Sequence, residues 1–221
     1  MYYELDDNYF YSLVAGMEPT VIEYIGNQRN EKWGGSCYGM SVVVSLMKDG
    51  QLTPSYWQKR AKVAHDLKAP KNSATVRNLI NYYQLSQHLP DAVDLTGTYI
   101  KMPEREILKQ IVVDCQKVQN GGLPVVISYW WASNEIKEET GEHEQHAHAV
   151  IGYHVDRVNH DRTGENSYRI SICDPNESSW KYLYISSDYS KWCYDGLDDD
   201  RDGIWTKDGV EQKRIKAVRS A

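Results

Sequence analysis

Residues 104–131 read EREILKQIVVDCQKVQNGGLPVVISYWW, and the chain changes character inside this stretch. Ile107, Leu108, Ile111, Val112 and Cys115 recur at the spacing that lines one face of a helix. Asn120-Gly121-Gly122 then reads as a stop, because glycine and asparagine accept the left-handed backbone that closes a last helical turn. From Leu123 onward the β-branched and aromatic residues fit a strand instead.

The same contrast extends in both directions. Toward the N-terminus, Met40, Val43, Val44 and Met47 repeat with a helical period, as do Val76, Leu79, Ile80 and Tyr83. Toward the C-terminus, AHAVIGYHV (147–155), YRISICD (168–174) and WKYLYIS (180–186) are strands bounded by turn residues. A helical first lobe, about 24–119, followed by a strand-rich lobe, about 120–218, makes one α+β module. There is no internal repeat, and the charged segment EIKEETGEHE (135–144) reads as a solvated loop.

The chain has 221 residues and a net charge of −6. That length buries roughly 70% of the surface of the unfolded chain, enough for a core without metals or disulfides. Lysine and arginine are scattered rather than gathered into a stripe, so nucleic acid is not an expected partner. Neither is a membrane, since no apolar run approaches the roughly 20 residues of a spanning helix. The opening MYYELDDNYF is acidic and aromatic where a signal peptide is basic and then apolar, so no targeting signal is expected. Seventeen Tyr and seven Trp against one Phe favour rings with a polar handle, which suits half-buried or interface positions. Cys37, Cys115, Cys173 and Cys193 lie far apart with no C-x-x-C pair, which speaks against a zinc ribbon or a dense disulfide framework.

Two stretches carry chemistry. In Gly34-Gly35-Ser36-Cys37-Tyr38-Gly39-Met40-Ser41 a glycine pair leads into a cysteine that opens an amphipathic helix, where the helix dipole favours the reactive thiolate. A buried structural cysteine in a glycine turn is the plainer alternative. Downstream, His146-Ala147-His148-Ala149-Val150 enters an apolar strand, and Asp174 in Cys173-Asp174-Pro175-Asn176 ends the next one. Thiol catalysis needs a nucleophile, a base and a carboxylate that fixes the base in one tautomer. Cys37, a histidine and Asp174 occur in that order, with Asn176 as an alternative orienter.

Spacing marks two candidate cation sites. Glu142, His143, His146 and His148 crowd imidazoles that could take zinc, but without the two-histidine helix spacing of H-E-x-x-H. Asp198, Asp200, Asp202 and Gly203 open like a calcium loop, yet Gly209 stands where its closing glutamate belongs. Neither metal is expected.

Taken together, GGSCYGMS, the Gly-Leu-Pro-Val-Val-Ile strand, His-Ala-Val with Gly152-Tyr153 behind it, and the strand ending Asp-Pro-Asn resemble the bacterial papain-like cysteine peptidases over roughly residues 28–185. They are similar in particular to peptidase modules of large multimodular, cellulosome-associated proteins of gut and rumen anaerobes. The resemblance implies a helical lobe packed against an antiparallel, barrel-like sheet lobe, with the active site in the cleft between them. It also implies an extracellular or cell-surface setting, a peptide or protein substrate, other modules of the parent protein as partners, and no cofactor.

Carried over by residue, Cys37 is the nucleophile, His148 the general base and Asp174 its orienter. His-Ala-Val selects His148, whereas counting back from Gly152-Tyr153 selects His146. The family's oxyanion glutamine falls at Glu31, which when ionised only accepts hydrogen bonds. Asn30 is the preferred substitute donor, and Gln28 the other. The 36 residues before Cys37 leave room for a first strand and loop, with Tyr2 to Tyr11 as an acidic tail able to cover the cleft.

Overall fold

The structure, a computed structural model, describes residues 5–31, 35–68, 74–136, 143–177, 179–195 and 214–219. In 130–136, 143–146 and 214–219 it describes the backbone alone. Helices and an antiparallel sheet make it an α+β chain. Contacts divide it into two compact units, Met1–Thr98 and Tyr99–Arg219.

The first unit holds α1 (Asp7–Leu13), α2 (Pro19–Asn30), α3 (Cys37–Lys48), α4 (Pro54–Trp57) and α5 (Ala74–Ser86), and α6 (Pro90–Lys101) runs across the division. Proline begins α2, α4 and α6, at the position where its missing N–H costs nothing and its fixed φ suits a helix. Where a first strand and a covering tail were expected, α1 and α2 stand instead. Leu5, Phe10, Leu13 and Val14 are buried with Ile25 and Leu85, so these residues belong to a core rather than to a tail. Their polar neighbours fasten them: the Asp6 N–H donates to Asn78 Oδ1 at 3.2 Å, and Arg29 donates to the Leu5 carbonyl and to Asp7.

The helix α3 departs from a one-sided amphipathic pattern. Ser41, Val42, Val43, Ser45, Leu46 and Met47 are all buried, so most of its circumference is enclosed, and only the side that carries Val44 stays half-buried. It crosses α5 at Gly39, where an added Cβ would lie 2.2 Å from the Ile80 carbonyl oxygen and 2.8 Å from the Gln84 nitrogen. Only glycine fits that crossing. The Gly39 N–H, one of the first-turn donors a helix leaves without an internal partner, donates to the buried Gln84 Oε1 at 2.8 Å.

The second unit contains α7 (Glu104–Gln119) and strands β1 (Val125–Ile136), β2 (His143–His160), β3 (Gly164–Cys173), β4 (Lys181–Ile185), β5 (Trp192–Tyr194) and β6 (Arg214–Arg219). They form one antiparallel sheet in the order β5-β4-β3-β2-β1-β6. The helix α7 ends where Asn120-Gly121-Gly122 requires: Gly121 has φ +89°, and the Gly122 N–H returns to the Lys117 carbonyl at 2.9 Å. Its apolar stripe, Ile107, Leu108, Ile111, Val112 and Cys115, packs on the sheet through Val125, Ile127, Val150, Ile170 and Ile172. Each such aliphatic side chain contributes about 1.5–3 kcal/mol relative to exposure, far more than the propensity of a lone helix this short. That stripe moves the boundary: residues 104–119 belong to the sheet unit and not to the helical one. Gly152 completes the contact, since a Cβ there would meet Cys115 Sγ and Ile127 Cδ1, each at 2.8 Å.

The strands cover the expected runs, but β2 continues five residues past 155 to His160 and β3 starts four residues before 168, at Gly164; two other differences stand beside these. The charged segment 135–144 is partly strand, because β1 reaches Ile136 and β2 starts at His143; residues 137–142 lie outside the described ones. The edge strands β5 and β6 were not expected.

Candidate functional site

In the sheet unit, β2 carries His148 directly opposite Tyr129 of β1. Val150, two residues further along the same face, is buried in the core, so the strand pins His148 at the margin of that core. The β3 strand ends at Cys173, and the following Asp174 turns back toward β2. His148 Nε2 lies 2.8 Å from Asp174 Oδ1 and 2.9 Å from Oδ2. Both side chains are largely sequestered, at 11% and 4% exposure. Two further donors hold the carboxylate: the Tyr194 hydroxyl to Oδ2 at 2.6 Å and the Asn176 N–H to Oδ1 at 2.9 Å.

Burial alone would raise the Asp174 carboxyl, but the hydrogen bonds from His148 and Tyr194, the His148 charge and the Asn176 N–H outweigh it. The group therefore lies below its ordinary value and stays ionised. An ionised carboxylate only accepts, so Nε2 carries the imidazole proton and Nδ1 the lone pair of the neutral ring. The Tyr129 ring stands perpendicular to this imidazole, with ring centres 5.7 Å apart and planes at 88°. The pair can accept a proton at Nδ1 and stabilise the resulting imidazolium.

In the helical unit, Cys37 is the first residue of α3 and is half-buried. Ser36 precedes it at the cap position, and its hydroxyl is buried without capping the helix. The helix is stapled below Cys37 by the Met40 N–H to Ser36 carbonyl bond at 2.9 Å and by Gln84 on Gly39. None of the four cysteines is in a disulfide. Burial pushes the Cys115 thiol far up and that of Cys193 up to about 12, so both are inert near neutral pH.

The oxyanion candidates sit at the end of α2. Asn30 is its exposed last residue; Gln28 is half-buried and donates to Glu31 Oε1 at 3.4 Å. His146 pairs with Trp131 through the backbone, and its side chain lies outside the described residues. So do the side chains of Glu142 and His143, and the whole of Asp198, Asp200 and Asp202. Among the described residues no group of three potential ligands could hold a metal, and no helix is long and apolar enough to cross a membrane.

Comparison of the chain with family models, curated proteins and solved structures finds no match. Three of the residues placed around the chemistry were not singled out in the sequence: Tyr129, Tyr194 and Gln84. Register pairs Tyr129 with His148, but Tyr194 and Gln84 reach their partners from distant elements, and no local pattern announces such a contact.

Proposed function

We propose that the chain is a papain-like cysteine peptidase module, in which the Cys37 thiolate is the nucleophile and the His148–Asp174 pair its base and orienter. The observation that carries this is the enclosed carboxylate–imidazole pair, fixed through Nε2 and so presenting Nδ1 for proton transfer. Cys37 at the first turn of α3 supplies a thiol where a helix favours its anion.

In the reaction, the Cys37 sulfur attacks a peptide carbonyl carbon and the C–N bond breaks as the His148 imidazolium protonates the leaving amine. A thioester remains. Water, giving its proton to His148, then attacks the thioester, releases the new carboxylic acid and restores the thiolate–imidazolium pair. An amine in place of water gives acyl transfer. Peptides or proteins are the substrates, other modules of an extracellular parent protein the partners, and no cofactor takes part.

One observation favours a second reading, a peptidase-like binding module with little turnover. Of the two donors that the resemblance leaves once Glu31 falls at the family's glutamine position, Asn30 is exposed and Gln28 donates to Glu31 itself. A peptide epoxide directed at thiols, with mass spectrometry to locate the adduct, separates the two. Adduct on Cys37 that disappears in His148→Ala, together with cleavage of a peptide library, supports the peptidase. Adduct without cleavage supports the binding module, and Cys37 labelling indifferent to His148→Ala refutes the thiolate–imidazole pair.

A further inference from the structure

We propose that Tyr194 is a positioning residue for the His148–Asp174 pair, its hydroxyl setting how much of the carboxylate charge reaches the imidazole. The proposal rests on the peptidase reading for its catalytic meaning, but not for its geometry. Asp174 Oδ1 takes His148 Nε2 and the Asn176 N–H; Oδ2 takes His148 Nε2 and the Tyr194 hydroxyl. With two contacts on each oxygen, counting the shared His148 Nε2 twice, the plane of the carboxylate is held facing the imidazole.

Tyr194 is itself enclosed, at 2% exposure, on the short edge strand β5. A phenol that deep must hydrogen-bond, and Asp174 is its partner. Its ring lies 5.5 Å from that of Tyr129, which also abuts His148, so the two tyrosines flank the pair from β1 and β5. Trp192, two residues earlier, ties the same strand to α7 by donating to Glu104 Oε1 at 3.0 Å. The titratable groups acting on this cluster include Asp174, Tyr129, Tyr194, His148 and Glu177.

A hydroxyl that donates to a carboxylate draws charge away from the carboxylate's other partner. Replacing Tyr194 by Phe keeps the ring against Tyr129 and removes only that donor. Asp174 then becomes the stronger acceptor for the His148 Nε2 proton, and the imidazolium is favoured.

The test is a titration of the imidazole C–H resonances by NMR on the full chain, with the His148 signal assigned from its loss in His148→Gln. In Tyr194→Phe the His148 midpoint should rise by about 0.5–1 pH unit. Trp192→Phe, which breaks the neighbouring anchor of the same strand, should lower the unfolding midpoint yet leave that titration in place. If Tyr194→Phe does not move His148, or if Trp192→Phe moves it equally, Tyr194 is a packing residue and the proposal falls. Peptide cleavage is a separate readout: a chain that cleaves nothing refutes the peptidase, while the titration still decides the role of Tyr194.

Discussion

Replacing Gly39 by Ala sets two effects against each other. Alanine is the better helix former by about 1 kcal/mol, so propensity alone predicts a gain. The structure predicts a loss. The new Cβ would stand 2.2 Å from the Ile80 carbonyl oxygen and 2.8 Å from the Gln84 nitrogen, both backbone atoms of α5, against 3.4 Å for ordinary contact. The two helices must part by about 1 Å, and overpacking of this kind costs about 1–3 kcal/mol. Parting also breaks the Gly39 N–H to Gln84 bond, and a buried donor left unsatisfied costs about 1–3 kcal/mol more. The net expectation is a destabilisation of about 3 kcal/mol. Gly97 on α6 provides the control, because a Cβ there meets nothing within 4 Å and Gly97→Ala should be neutral or stabilising. Urea unfolding followed by tryptophan fluorescence measures both variants. Should Gly39→Ala match Gly97→Ala, α3 and α5 do not cross closely at Gly39.

Three further outcomes follow from the His148–Asp174 pair. With a substrate that the parent chain cleaves, Asp174→Ala should lower turnover more than tenfold and Asp174→Asn less, because an amide oxygen can still accept from Nε2; full activity in Asp174→Ala would shift the orienting role elsewhere. His148→Ala should abolish preferential alkylation of Cys37 at near-neutral pH while His146→Ala retains most of it, and the reverse result would move the strand assignment by two residues. Because the Asp174 carboxyl is depressed in the folded chain, its stabilisation is present above the unfolded value of about 3.9 and is lost as pH falls through the lower folded value. Acid unfolding followed by circular dichroism should therefore lose part of its dependence below about pH 4 in Asp174→Asn.

The elements most legible in the sequence are those whose own burial pattern is periodic. Ile107 to Cys115 announced α7 and its glycine stop, and Leu123 to Tyr129 announced β1, because one face of each meets the same core. Which partner that face meets was not legible: the stripe of α7 suits a helical lobe as well as a sheet, and Gly152 opposite Cys115 is what admits the sheet. The N-terminal residues misled for a different reason. Tyr2 to Tyr11 are acidic and aromatic in composition, yet Leu5 and Phe10, five positions apart, are both buried in a core. Short edge strands such as β5 carry too few residues to show a period, and it is β5 that brings Tyr194 to Asp174. His148 and Asp174 were nameable from motif and order; the hydroxyl beside them was not.

Cys115 against Gly152 has an experimental consequence. Its sulfur is wholly covered and its thiol is held protonated by burial, so an alkylating reagent reaches it only when α7 lifts from the sheet. The rate of that reaction, followed through increasing urea, converts directly into an opening free energy for the helix. A rate that tracks urea from zero concentration would show α7 leaving only with global unfolding, whereas a flat region at low urea would reveal a local detachment. The native chain thus carries its own clock for the integrity of the surface on which His148 and Asp174 are mounted.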